Sequence, residues 1–176
     1  MGVQTLADIR SFNDYIRSKL LKRVASLPPE MLTWRPAPER WSAAEHVEHL
    51  ALAEEVYIRW LTRLVQEGRE RGLAGQPKTV DAIPELLKLT DRLEAPAEMV
   101  PEGRPVEESL ARLTASREQI NRFYGQLAEL ETDQITVPFR TVRLNAAQLM
   151  HLVGIHEHRH ERHLGALAEA WGSRQG

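Results

Sequence analysis

Apolar residues return at steps of three and four along most of the chain, a rhythm that predicts helices. Leu6, Ile9, Phe12, Ile16, Leu20, Val24 and Leu27 form one stripe that stops before Pro28-Pro29, where the missing N–H and the ring end a helix. The stretch that follows, MLTWRPAPERW, combines prolines with two tryptophans and predicts an extended connection pinned down by aromatic burial. Ser42 then opens a second helix, with Glu45 as its capping-box partner three residues on. This helix is expected to run to about Glu67, burying Ala43, Leu50, Ala53, Val56, Tyr57, Trp60, Leu61 and Leu64, and it carries His46 and His49 on the same face. From Arg69 to Pro105, frequent Gly and Pro predict an irregular crossover with one helix-compatible run, PELLKLTDRLEA. A third helix follows Pro105 and carries Leu110, Leu113, Ile120, Phe123, Leu127 and Leu130 to about Glu131. TDQITVPFRTVRL interrupts the pattern, and Asn145 caps a last helix that ends near Trp171-Gly172. Period-two alternation is confined to ITVPFRTVRL, so the expectation is an all-α four-helix bundle with long crossover connections, a single domain over residues 1–176.

The last helix is chemically unusual. At about 100° per residue, His156, His160 and His163 fall in one sector with Leu149, Leu152, Val153, Leu164, Leu167 and Trp171. His151 and His158 fall almost opposite, beside Glu161, Arg162 and Glu169, and are expected at the surface. Burying neutral imidazoles without partners costs roughly 2 kcal/mol or more each. One shared divalent ion satisfies them economically.

Composition narrows the options for that ion. The 176 residues include no cysteine, so its ligands must be nitrogen or oxygen, and the chain is compatible with a reducing cytoplasm. A formal net charge of -2, with no exclusively basic helix face, argues against a nucleic-acid partner. The N-terminal stretch carries acids and no uninterrupted apolar run, which is expected of neither a signal peptide nor a membrane anchor.

His156 and His160, at i and i+4, are the first two ligand candidates. HEHRH has the zincin spacing, but Glu157 falls towards the edge of the inner sector, away from where a zincin's general base must stand. A third ligand has to come from another helix, and His46 and His49 both qualify by periodicity. Glu45 lies at the edge of that face and is a candidate proton acceptor or orienting group, although the capping box with Ser42 explains it better. Glu54 is expected to be solvated, and Trp34, Trp41 and Trp60 to anchor the core.

Two short signatures carry a family resemblance. WRPAPERWSAAEHVEHLALAEE resembles the N-terminal signature of the DinB-like superfamily, and HEHRHERHL resembles its C-terminal H-E-x-x-H-R-G-Q-L pattern. The resemblance implies a four-helix bundle whose metal ligands are His49, His156 and His160, with His163 standing where the family often has Gln. His163 is then an additional ligand, a group supporting the ligands, or a pocket residue, as is His46. The resemblance further implies zinc or nickel, frequent homodimers, and an enzyme class that includes hydrolases and transferases of low-molecular-weight bacterial thiols. Three neutral imidazoles leave such an ion an open position for a small-molecule substrate. The alternatives are a protein that binds a metal or small ligand without catalysis, and a purely structural ion.

Overall fold

The computed structural model describes residues 5–75, 94–140 and 142–174. Four long helices dominate: α1 (Leu6–Ala25), α3 (Ala43–Glu70), α4 (Val106–Leu127) and α5 (Ala146–Gly172), with a one-turn α2 (Pro29–Leu32) between the first two. Three of the four begin with a capping box, in which the side chain at the cap and the one three residues on each bond the other's backbone N–H. These pairs are Thr5 with Asp8, Ser42 with Glu45, and Asn145 with Gln148. Helix α4 starts directly after Pro105, which has no N–H to satisfy.

Helix α1 packs along α5, and α3 packs against both α4 and α5. The stretch expected to be wholly extended begins with the turn of α2, which buries Met31. ITVPFRTVRL forms an antiparallel hairpin, β1 (Thr136–Phe139) and β2 (Val142–Asn145), in register from Thr136 opposite Asn145 to Phe139 opposite Val142. Its alternation puts Val137 and Leu144 into the core and leaves Pro138 and Arg143 outside. The hairpin runs directly into α5 and so fixes where that helix begins. Most of PELLKLTDRLEA lies outside the described residues. Among those described, no helix is long and apolar enough to cross a membrane.

The apolar core is divided in two. One cluster gathers Ile9, Val56, Leu61, Leu64, Ile120, Leu127 and Leu149, and the other gathers Leu20, Val24, Leu50, Leu113, Leu164 and Leu167. Between them runs a layer of buried charge, to which each long helix contributes one residue: Arg17, Glu54, Arg117 and Glu157. Arg17 donates to Glu157 and Glu54, both at 2.6 Å, and to the Leu113 carbonyl at 2.8 Å. Arg117 donates to Glu157 at 2.7 Å and to Glu54 at 3.1 Å, and Ser116 donates to Glu54. Burial opposes the Arg117 charge, but Glu157 and Glu54 outweigh it and raise its pKa. Glu54 is therefore not solvated as its edge position predicted; it is 2 % exposed and neutralised on site.

Candidate metal centre

Helices α3 and α5 bring His49, His156 and His160 together. His156 Nε2 lies 3.1 Å from His49 Nε2 and 3.1 Å from His160 Nε2. The outer nitrogens turn to other partners. His49 Nδ1 donates to the Met99 carbonyl at 2.7 Å, and because a carbonyl only accepts, the proton is placed on Nδ1 and a bare Nε2 points inward. His156 Nδ1 sits 3.4 Å from the Tyr57 hydroxyl, and His160 Nδ1 2.8 Å from His46 Nδ1.

Three imidazole nitrogens thus converge, and the Met99 carbonyl directs the His49 proton outward. A cation satisfies the facing lone pairs, and nitrogen donors with no thiolate suit zinc, nickel or copper better than magnesium or calcium. The separations approach the ~3.3 Å edge of a tetrahedron built on metal–nitrogen bonds of about 2.0–2.1 Å. The residues present therefore fit the implied ion. Burial, reinforced by neighbouring imidazoles and Arg159, holds His156 well below the ordinary histidine range. His160 is also held well below that range by burial and the surrounding histidines, and burial lowers His49 against the opposing pull of Met99. All three rings are therefore neutral at neutral pH and able to serve as ligands.

The remaining candidates divide. His46 is buried against His160, and burial together with His163 and His49 lowers its pKa to about 3. The partly buried His163 ring has its centroid 5.3 Å from those of both His46 and His160. Glu45 serves the start of α3 instead, accepting the Ser42 N–H at 2.8 Å and pairing with Nε and Nη2 of Arg35. Burial works against its charge, but the bonds from Arg35 and Ser42 hold its carboxyl below the usual range. Glu157 points into the charged layer with Arg17 and Arg117, so it does not stand where a zincin's general base would.

Several expectations need correcting. Trp41 does not anchor the core but lies over the histidines, its ring centroid 4.8 Å from that of His49 and 5.5 Å from that of His46. Trp34 does pack in the apolar cluster, edge-on to Trp171, and Trp60 contacts Tyr57 and Phe139. Glu161 is buried rather than exposed, held by Arg23 at 2.7 Å and Lys19 at 3.3 Å from α1. His151 and His158 are partly buried, with His151 edge-on to Phe12. For Glu161 and His151, α1 covers a face that one helix taken alone leaves open.

Sequence reasoning missed Glu48. Fully buried beside His49, it accepts the backbone N–H groups of Glu102, Gly103 and Arg104 at 2.9–3.0 Å. This anchors the end of the crossover on α3 and holds Met99 where its carbonyl meets His49. The available signal was Ala44 and Ala51, one turn away on either side, which leave room for a neighbouring backbone.

Among the solved structures that share the fold are two four-helix bundle proteins. TT2238, described as a four-helix bundle protein, aligns with a TM-score of 0.63 at 20% identity over 92% of this chain and 99% of its own. YfiT from Bacillus subtilis, described as a probable metal-dependent hydrolase with an unusual four-helix bundle topology, aligns with a TM-score of 0.61 at 19% identity over 95% and 87%. No curated protein matches the chain. The DinB superfamily model matches residues 14–164, a span that includes α3, α4 and all the clustered histidines. The chain belongs to the DinB superfamily.

Proposed function

We propose that this protein is a divalent-metal-dependent enzyme, a hydrolase or a transferase of a low-molecular-weight thiol, with His49, His156 and His160 holding the ion. The observation that carries this reading is the convergence of three neutral Nε2 atoms while their Nδ1 atoms are held by Met99, His46 and Tyr57. A divalent ion there, zinc or nickel, supplies a Lewis acid that polarises a substrate oxygen or acidifies a thiol.

The protein's own groups set the environment of that chemistry. Met99 and Glu48 fix the His49 ring, and Trp41 walls one side of the cluster and limits water. Among the described acids, Glu45 and Glu157 are each engaged by arginine. This favours a substrate that brings its own ionisable group, such as a thiol. A small-molecule substrate, a homodimer and a cytoplasmic setting complete the proposal.

Metal analysis of the purified chain beside His49→Ala and His156→Ala tests it, followed by turnover of a panel of electrophiles with and without bacterial thiols. The expected outcome is a bound divalent ion in the wild type, its loss in both variants, and turnover that depends on it. A metal-loaded protein inert across the panel supports the non-catalytic binder instead. A wild-type chain that takes up no ion refutes the metal centre.

A further inference from the structure

We propose that His46, His160 and His163 form a second divalent-cation site that shares His160 with the first. This rests on the assignment of His49, His156 and His160 as the first site. His160 faces two ways: its Nε2 lies 3.1 Å from His156 Nε2, while its Nδ1 lies 2.8 Å from His46 Nδ1. A ligand atom from each of His46, His160 and His163 lies within 4.8 Å of the others, as holds for the first triad.

A single hydrogen bond between His46 and His160 uses one proton and leaves His163 outside it. A cation engages all three rings. The 2.8 Å separation needs only a small opening to reach the ~3.3 Å tetrahedral edge expected for metal–nitrogen bonds of about 2.0–2.1 Å. His163 lies one turn beyond His160 on α5 and is only partly buried, so this second position opens towards solvent. Borderline ions such as Zn(II) and Cu(II) suit an all-imidazole donor set.

With both positions filled, His160 bridges the ions through its two ring nitrogens. The proton on its Nδ1 leaves to solvent as the second ion enters, and repulsion between the two dications makes that ion the weaker bound.

The full-length chain, stripped with a chelator, is titrated with Zn(II) alone and its metal content measured after gel filtration. The expected result is two ions per chain in the wild type and one in His163→Gln and in His46→Ala. His163→Gln changes the more exposed ring and guards against a His46→Ala variant that fails to fold. In a parallel titration with Cu(II), exchange through the shared ring lowers the electron paramagnetic resonance spin count below the copper count. His163→Gln restores one spin per copper. Saturation of the wild type at one zinc overturns the second site and leaves the first intact. Binding of no zinc overturns both. Two ions retained in both variants place the second ion elsewhere and also overturn the proposal.

Discussion

Replacing Arg17 by Met should remove the central donor of the buried charged layer and leave Glu54 and Glu157 sharing Arg117 alone. The lost contacts are two carboxylate bonds of 2.6 Å and one carbonyl bond of 2.8 Å, at sites where the side chains of Arg17, Glu54 and Glu157 are at most 9 % exposed. Removing one partner from a buried ion pair costs about 3–5 kcal/mol, because a charge stays behind without water or a counter-ion. That is a large share of the ~5–15 kcal/mol that stabilises a typical domain. At about 2–4 °C per kcal/mol for a chain of this size, the midpoint should fall by roughly 6–20 °C.

Urea unfolding of metal-stripped protein measures the loss without a contribution from bound ion, provided the slope with denaturant is unchanged. The double variant Arg17→Met with Glu157→Gln removes the stranded charge and should recover on the order of 1–3 kcal/mol relative to the sum of the single changes. Glu157 lies between His156 and His160 on α5, so loosening its anchor should also weaken zinc binding. A loss below ~1 kcal/mol for Arg17→Met, or strict additivity in the double variant, refutes the reasoning that these four charges act as one unit.

Two further outcomes follow from the same packing and electrostatics. A methyl added at Gly154 would clash with Asn13 Oδ1 and meet Phe12 Cε1 at 2.9 Å, and Asn13 is fixed by Met150 and Tyr124, so Gly154→Ala should cost about 1–3 kcal/mol in a thermal melt. A variant as stable as the wild type contradicts the close approach of α1 to α5. His46, His156 and His160 have folded pKa values below the ~6.5 of an unfolded histidine, so the unfolded chain takes up their protons first as pH falls. Their stabilisation is present in full above that value and declines below it, towards about 3 for His46. The melting temperature of metal-free protein should therefore drop between about pH 7 and 5, and His46→Gln should reduce the slope; a flat profile counts against neutral burial.

Much of the architecture was legible because each long helix declares itself locally. Apolar spacing marks the buried face, Ser42 and Asn145 mark two starts, and Pro28 and Pro105 mark boundaries. The convergence of His156 and His160 was equally local, since i and i+4 share a face whatever surrounds the helix. The charged layer was visible only as interruptions in each stripe, such as Arg117 between Leu113 and Ile120. A lone helix cannot show that an opposite charge on another helix meets the interruption, so Glu54 and Glu161 read as solvated although both are buried.

By itself, then, the sequence determined the helices, their faces and the donor chemistry of the site, because those depend on neighbours within one turn. Tertiary structure decided which ring nitrogens face each other, that Met99 and Glu48 fix His49, and that Trp41 covers the cluster. It also paired Glu157 with Arg17 and Arg117. These outcomes depend on contacts between residues far apart in the chain, where helix rotation and the path of a crossover set distances that no local periodicity encodes.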